Sequence, residues 1–163
     1  MFQTGERVMY GVHGVCDIIG TETQTQGKIY LILEPVSQPG SRYMVPTANA
    51  AAMAKVKKLL TREELETLIS SESARRDVWI RDEGQRKLRY REIISSADRE
   101  ALMAMVHSLY RYREEQTNAG RKMHLCDENF LRDAEKFLAG ETAIVLNMEP
   151  EEAKQYIRRQ LKA

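Results

Sequence analysis

The chain changes character near residue 47, and this change limits the folds that are open to it. Most of the glycines, and several short runs of β-branched and aromatic residues, lie before that point. Long stretches rich in Ala, Leu, Glu, Lys and Arg, with apolar residues at helical spacing, follow it. The pattern predicts an α+β protein in which a small β domain at 1–54 precedes an all-α domain of five to six helices at 55–163.

Four short runs in the first 50 residues are typical of β-strands. They are ERVMY, VCDIIG, KIYLILE and RYMVP, and they are separated by glycines and by Pro35 and Pro39. Four or five strands in so short a segment predict a small, strongly twisted barrel of the Tudor or SH3 type. An open edge strand of such a sheet can pair with a strand of another protein, so this half is a candidate docking module.

Helix start signals divide the second part of the chain. Thr61 followed by Glu64 is a capping box, and Pro150 has the favoured first position of the last helix. Ser96 is expected to cap a long helix that runs to about residue 116, and Asn118 to cap the next one. Shorter helices are predicted at about 74–82 and 85–94, and the alanines at 48–54 are the predicted connection between the halves.

Composition excludes several classes of protein. No window approaches the ~20 apolar residues that a membrane helix needs, and the N-terminal residues lack the basic and apolar regions of a signal peptide. We therefore expect a cytoplasmic protein that does not enter a membrane. Cys16 and Cys126 are expected to be free thiols in a reducing compartment.

The sequence has no pattern that indicates catalysis. It lacks a GxGxxG or Walker loop, a GxSxG elbow and an HExxH motif. His13 with Cys16 and His124 with Cys126 come nearest to a metal signal, but neither pair has the spacing of a zinc knuckle. We expect a protein that is not an enzyme and that has no cofactor and no metal.

The most basic part of the chain surrounds its one tryptophan, Trp79. Residues 75–91 have seven basic and three acidic side chains, a local balance of +4 in a protein whose total is +1. An aromatic ring surrounded by cations is suited to binding DNA, because arginines can contact the phosphates while the ring inserts between two neighbouring base pairs. A tryptophan buried beneath a basic, solvated helix face is the alternative. On the predicted helix Arg75 and Arg76 share a side with the ring, and the candidate DNA-binding residues are Trp79, Arg75, Arg76, Arg81, Arg86 and Lys87.

Motifs from both parts of the chain together resemble the CarD/CdnL regulators of bacterial RNA polymerase. Their first domain is shared with the transcription-repair coupling factor. The N-terminal motifs are Gly5-x-x-Val8-x-Tyr10-x-x-His13-Gly14-Val15, Tyr30-x-Ile32-Leu33 and Val45-Pro46-x-x-Asn49-Ala50. The helical motifs are Trp79, Leu109-Tyr110-Arg111-Tyr112-Arg113, Ala119-Gly120-x-Lys122-x-x-Leu125 and Ala134-x-x-Phe137-Leu138-x-Gly140-Glu141. The sequence departs from the family pattern at Gly11, Met44, Val78, Ile80 and Asp82.

The resemblance implies a transcription regulator without enzymatic activity. Its Tudor-like domain would bind the polymerase β subunit, and its helical domain would contact promoter DNA in the minor groove upstream of the bubble and stabilise the open complex. Trp79 has the position of the residue that wedges into the DNA in this family. The strand that would bind the β subunit contains Arg42, Tyr43, Met44 and Val45.

Two other functions remain open from the residues. The helical domain of a protein adaptor would bind a protein partner and not DNA, with Trp79 packed inside. An RNA-binding module is less favoured, since the β half has little basic charge and few surface aromatics. We expect a monomer, with a strand-exchanged dimer as the alternative.

Overall fold

A computed structural model describes residues 2–162 of the chain. They form two compact units, and the first ends at Leu59 while the second begins at Leu60. The sequence placed this boundary at residue 54. It lies later because a last short strand, Val56–Lys58, pairs with the first strand and so belongs to the β unit.

The first unit is an antiparallel sheet of five strands, as the sequence predicted in outline. The strands are β1 (Arg7–Tyr10), β2 (Val15–Thr23), β3 (Ile29–Pro35), β4 (Tyr43–Pro46) and β5 (Val56–Lys58). Their order in the sheet is β4-β3-β2-β1-β5, so β4 and β5 are the edges. A short helix, α1 (Ala50–Met53), replaces the predicted alanine-rich connection. Side chains that alternate along the strands form the core, namely Val8, Cys16, Ile18, Leu31, Leu33, Val45 and Val56.

The second unit is helical. Its helices are α2 (Arg62–Ile69), α3 (Glu83–Ser96), α4 (Arg99–Asn118), α5 (Leu125–Val145) and α6 (Pro150–Lys162). Helix α4 has an uninterrupted run of buried residues from Leu102 to Tyr110 and is the centre of the core. None of the helices in residues 2–162 is long and apolar enough to cross a membrane.

The helix ends agree with the sequence at two places and differ at two others. The capping box of Thr61 and Glu64 is formed, and α6 begins at Pro150. Ser96 does not cap α4, because Ala97 adopts a left-handed conformation (φ 53°) and the carboxylate of Asp98 accepts the capping hydrogen bond instead. Asn118 is the last residue of α4, and α5 begins only at Leu125.

Ion pairs to the buried carboxylates Glu141 and Glu135 connect the helices of this unit. The Arg99 guanidinium donates to both carboxylate oxygens of Glu141 at 2.7 and 2.8 Å, and Glu141 also accepts a hydrogen bond from the Leu60 amide at 2.9 Å. Glu135 accepts from Arg158 at 3.1 Å and from the buried hydroxyl of Tyr110. Burial and this hydrogen bond raise the pKa of Tyr110, so its hydroxyl stays protonated and donates at neutral pH.

The two cysteines should differ in reactivity. Burial, reinforced by the nearby Asp17 charge, raises the pKa of Cys16 from its usual value near 9 to about 11. At pH 8 we expect a thiol reagent to modify the half-buried Cys126 readily and Cys16 only after unfolding. Because the unfolded thiol ionises first, folding stability should also fall as pH rises from about 9 towards about 11. Rapid modification of both thiols in the folded protein at pH 8 would contradict this.

Candidate nucleic-acid interface

Trp79 lies in a segment without regular secondary structure and not in the helix that its sequence predicted. A short 3-10 turn, Ser73–Arg75, is followed by irregular backbone from Arg76 to the start of α3 at Glu83. Polar side chains fix this segment, because Ser108 accepts from the Val78 amide at 3.0 Å and Asp77 accepts from the Trp79 amide at 2.9 Å. These bonds replace the ones that a helix would make. The prediction of a helix at about 74–82, with Arg75 and Arg76 on the same side as Trp79, was therefore wrong.

The indole of Trp79 has a fixed position. It stacks on the ring of Tyr112 with 3.8 Å between centroids and 22° between planes. The Arg86 guanidinium carbon lies over the same indole, 4.2 Å from its centroid. Trp79 packs against the helical core and is half-buried. The ring is therefore neither a fully buried core residue nor a freely exposed wedge: Tyr112 and Arg86 lie against it, and it keeps some exposure to solvent.

Arg86 does not have the phosphate-binding role that the sequence suggested. It is only 3% exposed, and its guanidinium donates twice to the carboxylate of buried Asp127, both times at 2.9 Å. It also donates to the Ile80 carbonyl at 2.9 Å. Burial alone would lower the pKa of Arg86, but the hydrogen bonds and charge of Asp127 raise it above its usual value. Arg86 is a structural cation that holds the Trp79 segment against α5.

Arg75 is also engaged within the fold. Its guanidinium donates to the carbonyls of Ile69, Ser71 and Gln160 at 2.8, 3.0 and 2.6 Å. These carbonyls lie at the ends of α2 and α6, where arginine commonly satisfies free acceptors. Arg75 therefore ties helices together, and the expectation that it holds a phosphate does not fit this position.

The other predicted cations remain at the surface. Arg76 and Arg81 are exposed. Lys87 lies 3.3 Å from Glu83 one helical turn earlier, and this contact lowers the pKa of Glu83. The acidic residue that departs from the family pattern, Asp82, caps α3 by accepting from the Gln85 amide at 2.8 Å. Asp82 thus starts the helix that carries Arg86.

A cleft of about 630 Å³ opens beside the indole. Residues 76–82 supply Trp79 and Arg81, and the C-terminal part of α4 and the α4–α5 loop supply most of the other lining residues. Sequence reasoning missed the residues from α4 and this loop, which are Tyr112, Glu115, Gln116, Arg121 and His124. Glu83 and Arg86 complete the lining. The cleft thus combines the stacked rings of Trp79 and Tyr112 with the exposed arginines Arg81 and Arg121.

The predicted polymerase-binding strand is an edge of the first unit. Within residues 2–162, β4 pairs with β3 on one side and has no strand on the other. Arg42 is exposed, Tyr43 is half-buried and Met44 is 40% exposed. Val45 points into the core and is 0% exposed, so its side chain does not reach a partner and only its backbone is available.

Apolar side chains continue from this edge across the sheet. Met44 lies opposite Ile32 of β3, and Ile32 lies opposite Gly20 of β2. Next to Gly20 the register shifts at a bulge, which leaves Ile19 37% exposed. The outward side of β4 therefore has an apolar neighbourhood.

Three rings pack together near the start of β4. His13 stacks on Tyr43 with 4.1 Å between ring centroids, and Tyr10 lies 5.3 Å from His13 and 5.6 Å from Tyr43. The residues that suggested a metal site, His13 with Cys16 and His124 with Cys126, are divided between the two units. Among residues 2–162, no three His, Cys, Asp or Glu side chains are grouped to hold a metal ion.

The chain therefore has a first unit that is an antiparallel sheet with an open edge, and a second, helical unit that has a cleft lined by aromatic rings and arginines. A family model described as CarD-like/TRCF RID domain matches residues 2–57, which lie within the first unit. These residues are similar to the CarD-like/TRCF RNA polymerase-interacting domains. The resemblance found in the sequence is thereby confirmed for the first unit. No curated protein matched the chain.

Proposed function

We propose that this protein regulates transcription by docking on the β subunit of bacterial RNA polymerase through β4 and by presenting Trp79 to promoter DNA. The contact would lie at the upstream edge of the bubble and would stabilise the open complex. The observation that carries the proposal is a positioned, half-buried indole in the same cleft as the exposed Arg81, in a chain whose residues 2–57 match an RNA polymerase-interaction domain.

Docking through β4 is favoured by the chemistry of that strand. An unpaired strand edge offers backbone donors and acceptors, and strand addition uses them for affinity while side chains give specificity. Met44 supplies exposed apolar area, and Arg42 beside it supplies a cation. Tyr43 is held by its stack on His13 and so meets a partner in a fixed orientation.

The DNA contact is favoured by the orientation of Trp79. A ring held by Tyr112 and Arg86 loses little conformational freedom when it binds. Arg76 and Arg81 are the predicted cations that remain exposed nearby. Opening a base step costs about a few kcal/mol, and two phosphate contacts give only weak binding, so the isolated contact should be weak. Docking on polymerase raises the effective DNA concentration and makes a weak contact sufficient.

The proposed docking of β4 on the polymerase β subunit is tested by placing a charge on this strand. Met44→Glu puts a carboxylate in the apolar neighbourhood of Ile32, and we expect it to weaken binding to the isolated β subunit by about tenfold or more, equivalent to about 1.4 kcal/mol. Fluorescence anisotropy of the labelled full chain measures this affinity. Thr4→Glu is the matched control, because it adds the same charge at an exposed position before β1. If the two variants bind the β subunit with equal affinity, β4 is not the docking strand.

The proposed DNA contact is tested by how the affinity for DNA depends on polymerase and on salt concentration. On isolated duplex we expect micromolar or weaker binding, with a slope of log affinity against log salt of about −1.8 for two phosphate contacts. Protection of the upstream bubble edge from chemical cleavage should appear only when polymerase is present. If no DNA contact is detected even with polymerase, the helical unit is better explained as a binder of a protein partner.

A further inference from the structure

We infer that the open edge of β4 pairs with β4 of a second copy of this chain, antiparallel and about a two-fold axis, and that this pairing keeps polymerase from the edge. The second statement rests on the proposed function, because it assumes that polymerase docks on β4. The inference is carried by the backbone groups that β4 turns outward, by the side chains beside them and by the contrast with the other edge of the sheet.

The backbone groups of Met44 lie on the open side of β4. The amide of Thr47 donates to the carbonyl of Ile29 at 3.0 Å, and these residues are opposite each other when the register of β3 and β4 is continued. Bonded and non-bonded residues alternate along an antiparallel pair. Val45 is therefore bonded to Leu31, and the N–H and C=O of Met44 point away from β3. No other strand of residues 2–162 covers them.

A second β4 satisfies these groups by symmetry. When the two-fold axis passes beside Met44, this residue lies opposite Met44 of the second copy. Each supplies a donor and an acceptor on its open side, so the two residues exchange both backbone hydrogen bonds. In the same register Arg42 lies opposite Pro46, so the arginine does not meet a like charge. Pro46 has no N–H to donate, which limits the pairing to a short stretch.

The side chains beside the axis favour the same contact. Met44 is 40% exposed and lies opposite Ile32 of β3. A second Met44 beside it would continue this apolar row from one copy into the other and remove its exposed part from water. The four residues of β4 bear no charged side chain, so charge repulsion within the strand does not oppose the pairing.

The other edge of the sheet is protected against a second copy. Strand β5 has only three residues, and two of them, Lys57 and Lys58, are exposed lysines. Two β5 strands side by side would bring the lysines of the two copies close together, and like charges across a strand pair are destabilising. Short edge strands that contain lysine are a common device against edge pairing. β4 lacks this device, so β4 is the edge at which two copies pair.

The contact should be weak and reversible. A contact confined to one short strand lies below the total area of about 1,200 Å² that stable interfaces bury. We expect a dissociation constant on the order of 100 μM, so the monomer prevails in dilute solution. The N–H and C=O of Met44 cannot bond to two strands at once. A copy that is paired through β4 is therefore closed to polymerase.

Sedimentation velocity of the full chain without polymerase tests the pairing. Between about 10 and about 500 μM we expect the mass to rise from that of a monomer towards that of a dimer, with rapid dissociation on dilution. A protein that stays monomeric over this range would overturn the inference. A dimer that takes hours to dissociate would overturn it as well, because slow dissociation indicates exchanged strands that require unfolding of the β unit.

Opposite charges at residue 44 test the register. Met44→Lys alone and Met44→Glu alone should each weaken self-association by about tenfold or more, because like charges meet at the axis. An equimolar mixture of the two variants should form a dimer again, since unlike charges then face each other. Thr4→Glu, at an exposed position before β1, should associate like the wild type. Circular dichroism shows that the variants are folded. If the mixture stays monomeric, Met44 does not face itself and the inference fails.

The isolated polymerase β subunit tests the exclusion. Added in excess, it should dissociate the dimer, and the resulting complex should contain one copy of the chain for each β subunit. Two copies in that complex would overturn the exclusion. A dimer restored by mixed charges, in a protein that does not bind the β subunit, would support the pairing and refute the docking. Docking that depends on Met44, in a protein that is monomeric at every concentration, would refute the pairing and leave the proposed function standing.

Discussion

Replacing Trp79 with alanine is expected to shorten the lifetime of the open promoter complex formed with this protein by about tenfold. Aromatic contacts with bases contribute ~1–3 kcal/mol, and about 1.4 kcal/mol corresponds to a factor of ten in rate. The loss should return the lifetime close to that of polymerase alone, because Arg76 and Arg81 do not replace the ring. The measurement is the decay of heparin-resistant complexes with time, at saturating protein.

Two controls separate this effect from a loss of folding or docking. Trp79→Phe keeps a ring that can stack on Tyr112, and we expect it to retain part of the lifetime. Affinity for the β subunit should be unchanged in both variants, since Trp79 belongs to the second unit. If Trp79→Ala sustains the open complex as the wild type does, the tryptophan does not act on DNA.

Removing the carboxylate of Asp127 is expected to destabilise the second unit by about 3–5 kcal/mol, the usual cost of leaving a buried charge without its partner. In Asp127→Ala the Arg86 guanidinium loses both of its hydrogen bonds to that side chain. Urea denaturation followed by circular dichroism gives the free energy of unfolding. A loss below about 1 kcal/mol, the range typical of exposed ion pairs, would contradict a buried pair.

A paired replacement distinguishes stability from positioning. Replacing both partners with apolar residues, Arg86→Met with Asp127→Leu, should recover most of the lost stability, because no buried charge is then left unpaired. The same change removes the hydrogen bond from Arg86 to the Ile80 carbonyl and its contact with the indole. We therefore expect a folded protein whose Trp79 fluorescence is more easily quenched and whose effect on the open complex is weakened.

The β unit could be predicted from the sequence because its signals are local. Runs of β-branched and aromatic residues separated by glycine-rich turns indicated the strands, and Val8 and Leu33 of those runs lie in the core of the structure. The capping box at Thr61 and the proline at 150 likewise fixed helix starts from a few neighbouring residues. What the local pattern missed in this unit was β5, whose pairing with β1 joins residues almost fifty positions apart.

The Trp79 segment could not be predicted, because contacts distant in sequence decide its structure. Helical spacing was a reasonable expectation for 74–82, but the Val78 amide bonds to Ser108 and the Val78 carbonyl accepts from Tyr90. The sequence suggested that Arg86 was free to bind a phosphate. Its carboxylate partner, Asp127, lies 41 residues further along the chain, so no local pattern indicated the pair. Basic residues in a row indicate a basic surface only when no buried acid is folded against them.

The cleft residues from α4 and the α4–α5 loop were missed for a related reason. A run of mixed charges such as residues 111–115 is typical of a solvated helix surface, but the run contains the half-buried Tyr112 that stacks on Trp79. A spacing of four residues between Tyr112 and Gln116 is the one local signal that places both on one helix face. Arg121 gave no signal of its own, since only the fold brings it to the same cleft as Arg81.

The central claim is that Trp79 meets promoter DNA while the first unit is bound to polymerase, and site-specific crosslinking tests it most directly. A photoreactive phenylalanine analogue at residue 79 is irradiated in complexes of polymerase and labelled promoter, and the crosslinked DNA position is mapped. We predict crosslinks at the upstream edge of the bubble that require polymerase and are lost with Met44→Glu. Crosslinks to polymerase or to no partner, in complexes that contain the docked protein, would contradict the account.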